Sequence, residues 1–384
     1  MPKPTVPVPA LTSTEVLEYS TTLLQEQVSL LEHQGTRWHT PDLWRVLLAA
    51  AVQRSTIEAS CSDWAAGPDA NTVRHVLRTG VTNAELAQLE GAFNQALVAR
   101  LPRWLWHRTL EVALDLHDEP FYGRSEAEAA FICRGEAQKG TTRFYRCATA
   151  YVLAAGMRFT LALVFLRKTD RVAAVAQRLH QQVMAAGLRV ARWYLDRGFL
   201  SVELLQYLQA QRVSAILAVS QGVGRRGIKA LCHGPRSYRI QHTFHHPVQG
   251  AVTVSLSVVR TYERRHGKRR VRWMVFALLR CRAEPRAVRQ MYRRRFGIES
   301  GYRLLEQLRA RTTSPCSAWH FLFMGLAAVL LTCWNALQWA YLSAQHRGAL
   351  ILGEGPFRLH RFIRFVQQAI DHGYTLNAVL RIHT

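Results

Sequence analysis

Acidic residues are scarce in this chain of 384 residues. Asp and Glu together number 26 against 50 Lys and Arg, which leaves a formal net charge of +24. Such an excess costs self-repulsion unless a polyanion binds to the protein. Nucleic acid is therefore the first partner that the charge predicts, and an anionic membrane surface is the second. A basic surface that is merely solvated is the remaining interpretation.

Paired cysteines are also lacking. The 7 cysteines are scattered, odd in number and form no Cys-x-x-Cys pair, which argues against a zinc ribbon and a disulfide framework. No suitably spaced cysteine or fourth ligand accompanies His242, His245 and His246, so we interpret these histidines as a solvated strand face. The N-terminal residues lack the apolar core of a signal peptide, and we expect a reduced, cytoplasmic protein.

Long hydrophobic runs are limited to residues 319–342. This segment is long and apolar enough to cross a bilayer, but His320, Asn335 and Gln338 interrupt it. A single membrane span and a helix buried on all sides in a large core both fit its length and composition. We favour the buried helix, and therefore predict no membrane partner.

The spacing of apolar residues predicts an α/β fold with an additional helical domain. Apolar residues recur at three- and four-residue spacing from Ser13 to about Arg103, so we expect residues 1–105 to form an N-terminal all-helical domain. Residues 106–345 run as three strands, helix, strand, helix and strand, which indicates a mixed sheet with a β-rich insertion at about residues 221–275. Residues 346–384 form a basic helical C-terminal tail.

A helix pair lies inside the N-terminal region, at residues 56–80. Its second helix begins after a Gly-Pro turn, is capped by Asp69 or Asn71, and carries Arg74 and Arg78. The pattern is similar to a helix-turn-helix, whose second helix enters a major groove of DNA. A plain pair of packed helices explains it about as well.

Three acids stand at informative places. Asp115 follows the apolar run of the first strand, Asp196 closes the fourth strand, and Glu299 lies on an arginine-rich helix after the insertion. Three carboxylates that converge on one point repel each other unless cations bind between them. Mg²⁺ suits such a site, and two ions about 4 Å apart would serve phosphodiester chemistry.

Each acid also has a simpler interpretation. Asp118 is a local rival to Asp115, although strand side chains alternate and the two would face opposite sides. Asp196 could be a mere helix cap, and Glu299 could be an ordinary ion-pair partner for arginines four residues away on its helix. We favour the three-acid site because all three acids fit one constellation.

The order of these motifs resembles a known family. An Asp on strand one, Asp-Arg-Gly-Phe on strand four, a β-insertion and then Tyr-x-x-Arg-x-x-x-Glu on a helix resemble the DDE transposases of bacterial and archaeal insertion sequences. More narrowly, they resemble the group with a Tyr-Arg-Glu-Lys signature. The resemblance covers about residues 105 to 345, and it implies that the N-terminal helical region, residues 1–105, is the DNA-binding domain of the family. The matching residues are Asp115, Asp196, Tyr292, Arg295 and Glu299.

One position departs from the family pattern. The signature ends with a lysine seven residues after the glutamate, and this chain has Glu306 there. Arg303 or Arg309 could contact a phosphate in its place, since both lie within about two or three helical turns of Glu299.

The resemblance implies a ribonuclease-H-like fold and a metal-dependent reaction. Water attacks a phosphodiester at the end of the element, and the freed 3′-hydroxyl attacks target DNA. Asp115, Asp196 and Glu299 would be catalytic and would hold two Mg²⁺ ions, for which Mn²⁺ can substitute. Arg295 would contact a phosphate, and Tyr292 would stack or hydrogen-bond near the cleaved strand.

The same resemblance implies the partners. They are double-stranded DNA, as the terminal inverted repeats and the target, and a second copy of the chain in a synaptic homodimer. The location is the prokaryotic cytoplasm, at the nucleoid when DNA is bound. The alternatives are a catalytically inactive DNA-binding protein derived from a transposase, a related nuclease on the same fold, and a membrane-associated protein anchored by residues 319–342.

Overall fold

The structure is a computed structural model. It describes residues 11–28, 37–123, 126, 128–138, 140–153, 157, 159–222, 227–265, 268–346, 349–352 and 357–376. For residues 265, 296–300, 342–346 and 349–352 the description covers the backbone and not the side chains.

Twelve α-helices lie within these residues. They are α1 (Ser13–Gln27), α2 (Thr40–Gln53), α3 (Ile57–Ser62), α4 (Ala70–Gly80), α5 (Leu86–Ala99), α6 (Arg103–His107), α7 (Val172–Ala185), α8 (Val202–Ala210), α9 (Pro285–Arg293), α10 (Gly297–Leu305), α11 (Ser317–Leu342) and α12 (Leu359–Tyr374). Side-chain caps explain several starts. The Asp69 carboxylate accepts hydrogen bonds from the backbone N–H groups of Asn71 and Thr72, and so begins α4 as predicted.

Nine strands of the described residues form one mixed sheet. They are β1 (Leu110–Pro120), β2 (Cys133–Gln138), β3 (Thr141–Val152), β4 (Thr160–Phe165), β5 (Val190–Leu195), β6 (Ala215–Val219), β7 (Tyr238–His246), β8 (Gly250–Arg265) and β9 (Lys268–Leu279). Two further short strands, β10 (Ser343–His346) and β11 (Ala349–Leu352), pair only with each other.

The sheet combines parallel and antiparallel pairs. Its order is β2-β3-β1-β5-β6-β9-β8-β7, with β4 paired to β3. The pairs β1–β5 and β5–β6 are parallel, and the others are antiparallel. The predicted α/β class is therefore confirmed. The strands of the expected β-rich insertion extend this same sheet, because β9 pairs with β6. Strand β2 was not predicted.

The chain divides into two compact units. The first comprises Met1–Pro102, Gly123–Glu128 and Tyr302–Thr384, and the second comprises Arg103–Tyr122 and Ala129–Gly301. The first contains helices α1–α5, α11 and α12 with the short β10–β11 pair, and the second contains the nine-stranded sheet. Residues 302–345 thus belong with the helices, whereas the sequence pattern grouped them with the sheet.

The placement of α11 has a clear physical reason. This helix carries the long apolar run, and within the first unit it packs against α5, α1 and α2. It is the one helix among the described residues that is long and apolar enough to cross a membrane, and 89% of its most apolar window is buried inside the protein. Burial on all sides is what the core-helix interpretation predicts.

Candidate active site

Two of the predicted acids lie at corresponding positions of adjacent parallel strands. Leu114 of β1 is in register with Leu195 of β5. Asp115 directly follows Leu114 and Asp196 directly follows Leu195, so the two acids occupy equivalent positions. Parallel pairing carries the two carboxylates to the same region of the sheet although 80 residues separate them in the sequence. Asp196 precedes a 3₁₀ turn at Arg197–Phe199, but its carboxylate makes no capping hydrogen bond there. The interpretation of Asp196 as a helix cap requires a side-chain hydrogen bond that the structure does not show.

A buried guanidinium joins these two acids. Arg295 Nη2 donates to Asp115 Oδ1 at 2.6 Å, and Arg295 Nη1 lies 3.5 Å from Asp196 Oδ1. Arg295 is only 9% exposed. The 3₁₀ turn Arg294–Phe296, which follows α9, places this side chain next to β1 and β5. One cation thus compensates two carboxylates that would otherwise repel each other.

The preceding residue of the same turn fixes the turn to the sheet. Arg294 Nη1 lies 2.9 Å from Glu111 Oε2, and Glu111 also accepts a hydrogen bond from the Tyr194 hydroxyl at 2.9 Å. Glu111 and Asp115 are four residues apart on β1 and so share one face of the strand. Consecutive arginines therefore bind two acids of one strand, which sets the position of Arg295. Glu111 was not among the predicted site residues, and its only signal in the sequence was its even spacing from Asp115.

Tyr292 completes the described part of the site. Its hydroxyl donates to the backbone carbonyl of Leu195 at 3.2 Å and lies 3.5 Å from Asp196 Oδ1. Its ring packs against Phe276, with centroids 4.8 Å apart. Burial raises the pKa of the Tyr292 phenol above its ordinary value, so the group stays a neutral donor. The hydrogen bond to Leu195 and the packing on Phe276 thus hold the Tyr292 hydroxyl beside Asp196.

The electrostatic setting of Asp115 differs from that of an exposed carboxylate. Burial, the largest effect, raises the pKa of Asp115 to about 6, while Arg295 lowers it and Asp196 raises it further. The Asp115 side chain is 17% exposed and that of Asp196 is 40% exposed. One acid is thus largely withdrawn from water and the other faces it.

The rival Asp118 has a structural partner of its own. Its two oxygens bind Arg146 Nε and Nη2 at 2.5 and 2.8 Å, and Arg146 is its register neighbour on β3. Strand alternation places Asp118 on the face opposite Asp115, as expected. This bidentate ion pair explains Asp118 without any catalytic role.

The other predicted site residues have different outcomes. Glu299 lies on α10, and its side chain is outside the described part of the chain. Arg303 and Arg309 belong to the first compact unit, where Arg303 is exposed. Arg309 Nη1 lies 3.1 Å from Glu306, which is three residues earlier in the chain. The described structure thus brings together four of the seven residues: Asp115, Asp196, Tyr292 and Arg295.

A cavity of about 630 Å³ opens beside Asp196, Tyr292 and Arg295. Residues outside the predicted set also line the cavity, notably the exposed Arg197 and the half-buried Trp273. Gln221 Nε2 donates to the Trp273 carbonyl at 2.6 Å and ties the end of β6 to β9. Arg197 had a signal in the sequence, its place in the Asp-Arg-Gly-Phe motif. Trp273 had none, because β9 reaches the site only through its pairing with β6. The cavity thus offers positive charge and one aromatic face beside two acids.

The chemistry of this donor set suits a divalent cation. Asp115 and Asp196 are hard oxygen ligands that already share a positive partner. Among the side chains that the structure describes, no group of three or more His, Cys, Asp or Glu residues could hold a metal ion. The third predicted carboxylate, Glu299, is not among those side chains.

Comparison with known proteins identifies a matching family and a solved structure of similar fold. The model of the transposase DDE domain family matches residues 126–335, just over half of the chain. This range contains Asp196, Tyr292, Arg295 and Glu299 and begins after Asp115. A piggyBac transposase, solved as a synaptic complex with hairpin DNA, is similar in fold, with 10% sequence identity and a TM-score of 0.56 over 96% of this chain and 79% of that chain. No protein of curated function matches in sequence.

Proposed function

The chain belongs to the DDE transposase family and is a DNA transposase, and on that premise we propose that Asp115, Asp196 and Glu299 form its catalytic centre. The reaction that we propose is metal-dependent cleavage of a DNA strand at the ends of an insertion sequence, followed by transfer of the freed 3′-hydroxyl to target DNA. The Tyr-Arg-Glu-Lys group is the branch of the family that we infer, with Glu306 in place of its lysine.

A single observation carries the assignment of the acids. Asp115 and Asp196 come from different strands, and Arg295 lies between them at 2.6 and 3.5 Å. Arg295 and Glu299 are one helical turn apart in the sequence, which supports Glu299 as the third member. An ion pair with a purely structural role needs only one carboxylate, whereas the Arg295 guanidinium contacts two.

Members of this family are metal-dependent, and Mg²⁺ is the ion that we propose, with Mn²⁺ as a substitute. The three carboxylates would hold two ions, since Mg²⁺ prefers a few carboxylates together with water and phosphate oxygens. Bound ions would lower the pKa of an attacking water and stabilise the leaving oxygen of the phosphodiester.

The protein's own side chains have distinct tasks in this proposal. Arg295 holds Asp115 and Asp196 close together and contacts a phosphate of the bound strand. The Tyr292 hydroxyl, anchored on the Leu195 carbonyl, orients Asp196. Arg197 and Trp273 line the adjoining cavity, where they meet the DNA strand. We assign a phosphate contact to Arg303 or Arg309 as well.

The proposed partners follow from charge and family. Double-stranded DNA, as terminal inverted repeats and as target, fits a net charge of +24. The similar piggyBac structure was solved as a synaptic complex with hairpin DNA, which supports a homodimer on paired ends here. We place the protein in the prokaryotic cytoplasm, at the nucleoid when it is bound.

A cleavage assay tests the centre. The substrate is a labelled duplex that carries the inverted repeats flanking the coding region, with Mg²⁺ present. We expect Asp115→Asn, Asp196→Asn and Glu299→Gln each to lower cleavage at least a hundredfold while they retain DNA binding. Asp118→Asn, which alters an acid three residues from Asp115, is the matched control and should cleave like the wild type.

The same assay separates the alternatives. Cleavage without joining to target DNA would indicate a nuclease. Binding without any cleavage by the wild type would indicate an inactive DNA-binding derivative. Retained cleavage by Glu299→Gln would contradict the assignment of the third acid.

A further inference from the structure

Arg295 contacts two acids that are proposed metal ligands. Its Nη2 lies 2.6 Å from Asp115 Oδ1, and its Nη1 lies 3.5 Å from Asp196 Oδ1. Carboxylate oxygens bind Mg²⁺ at about 2.1 Å, so an ion on Asp115 Oδ1 would lie within about 5 Å of the guanidinium nitrogen. The guanidinium and a divalent cation therefore compete for the same carboxylate.

The charges of the proposed centre make the two kinds of cation alternatives. When both are ionised, Asp115 and Asp196 carry two negative charges, and the single charge of Arg295 offsets half of this. Two divalent ions would bring four positive charges to a centre with three carboxylates. Arg295 is buried, so solvent would screen little of its repulsion from those ions. Ions and guanidinium together would thus overcompensate the acids.

The cavity beside the acids gives the guanidinium a second position. This cavity of about 630 Å³ is lined by Asp196, Tyr292 and Arg295, and it is where we place the DNA strand. The guanidinium carbon of Arg295 lies 5.8 Å from the centre of the Tyr292 ring. Rotation of the arginine side chain toward the cavity would keep it beside this aromatic ring and bring it to a phosphate, which guanidinium groups bind through two parallel hydrogen bonds.

The backbone that carries Arg295 is held by other contacts. The preceding residue, Arg294, places Nη1 2.9 Å from Glu111 Oε2. Three residues before Arg295, the Tyr292 hydroxyl donates to the Leu195 carbonyl at 3.2 Å. Neither of these bonds uses the carboxylates that Arg295 contacts. Rotation about the side-chain bonds of Arg295 is therefore sufficient to move the guanidinium.

We propose that Arg295 is a displaceable counter-cation, which holds Asp115 and Asp196 together until divalent ions bind and then turns to a DNA phosphate in the adjoining cavity. This role rests on the proposed function, since it takes both acids as metal ligands and DNA as the bound strand. It makes the phosphate contact of Arg295 depend on the metal. Arg197, which is exposed in the same cavity, stays available to DNA without metal.

The affinity for Mn²⁺ in the absence of DNA tests this role. The full chain is titrated with Mn²⁺ alone, and electron paramagnetic resonance measures the free ion. Binding that is lost in Asp115→Asn with Asp196→Asn is binding at the proposed centre. We expect Arg295→Met to bind Mn²⁺ there about tenfold more tightly than the wild type, because the competing cation is gone. A purely structural role predicts weaker binding, because the acids would lose the residue that holds them together.

Arg146→Met is the matched control. It removes one guanidinium from the same sheet and leaves Asp118, three residues from Asp115 on β1, without its bidentate partner. The loss of charge is the same, but the acid concerned is not a proposed metal ligand. This variant should bind Mn²⁺ like the wild type. Circular dichroism verifies that both variants are folded.

Chemical modification of the wild type gives a readout that needs no variant. Phenylglyoxal reacts with accessible guanidinium groups, and peptide mapping by mass spectrometry gives the rate at each arginine. Mn²⁺ should speed the reaction of Arg295 several-fold, because the displaced side chain becomes accessible. The rate at Arg146 should not change, since its contact with Asp118 is unaffected.

The outcomes distinguish this role from the proposed function. Unchanged or weaker Mn²⁺ binding by Arg295→Met, an equal gain in Arg146→Met, or equal modification of Arg295 with and without Mn²⁺ would each overturn the role of Arg295. Failure of the wild type to bind Mn²⁺ at Asp115 and Asp196 would instead contradict the proposed function.

Discussion

Arg295 donates to Asp115 at 2.6 Å, although the two residues are 180 positions apart in the sequence. Both side chains are largely buried, at 10% and 17% exposure. A carboxylate in such surroundings is costly unless a cation compensates it, and the pKa of Asp115 remains raised even so. The contact between Arg295 and Asp115 is therefore part of what holds β1, β5 and the turn after α9 together.

Replacement of Arg295 by methionine should destabilise the protein. The change leaves the buried Asp115 carboxylate without its cation, and we expect a loss of roughly 3 kcal/mol. Adding Asp115→Asn to the same chain removes the stranded charge and should recover at least 1 kcal/mol, which is a coupling typical of contacting residues. Urea unfolding in the absence of divalent ions, followed by circular dichroism, measures both values. Additive effects of the two substitutions would show that the pair is not coupled.

Tyr292→Phe tests the role of the phenol hydroxyl. The ring keeps its packing against Phe276, but the buried carbonyl of Leu195 loses a donor, which should cost about 1–3 kcal/mol. Because the hydroxyl also lies 3.5 Å from Asp196, we expect cleavage to fall about tenfold. Tyr262→Phe, at an exposed tyrosine of β8, is the matched control and should leave cleavage unchanged. A Tyr292→Phe variant that matches the wild type in both measurements would limit the residue to packing.

Removal of divalent ions should separate catalysis from binding. With EDTA present we expect no strand cleavage, and added Mg²⁺ or Mn²⁺ should restore it. Duplex binding should persist in EDTA, because the arginines that contact phosphates need no metal. The measurement is a gel assay that scores cleaved and bound duplex in the same samples. Cleavage at full rate in EDTA would remove the basis for the three-acid proposal.

Local patterns predicted features of both units. Alternation placed Asp115 and Asp118 on opposite faces of β1, and the structure shows each with a different arginine. The Asp69 cap and the start of α4 also followed from neighbouring residues. These features depend on interactions between residues a few positions apart, and such residues can be identified directly from the sequence.

Features that depend on distant pairing were missed. Nothing near β9 in the sequence indicates that it pairs with β6 and so brings Trp273 to the site. The grouping of α11 with the N-terminal helices likewise depends on a fit between side chains more than two hundred residues apart. Apolar composition showed that α11 must be buried, but not which surface covers it.

The fit between α5 and α11 yields a last prediction. A Cβ atom added at Gly325 of α11 would lie 2.5 Å from Cε2 of Phe93 on α5, and Phe93 is fully buried. The Phe93 ring also packs edge-on against Phe321, so a shift of the ring would disturb this contact, and we expect Gly325→Ala to destabilise the helical unit by about 1–3 kcal/mol. Thermal unfolding followed by circular dichroism measures the loss.

A second glycine and a compensating change make this prediction specific. Gly91 lies on α5 as well, and a Cβ atom there would meet nothing within 4 Å. Gly91→Ala should therefore be neutral or stabilising, by up to about 1 kcal/mol, because alanine favours the helix. Phe93→Leu should relieve part of the loss in Gly325→Ala by removing the atoms that clash. If Gly325→Ala were as stable as Gly91→Ala, the close approach of α5 and α11 would be wrong, and with it the assignment of α11 to the helical unit.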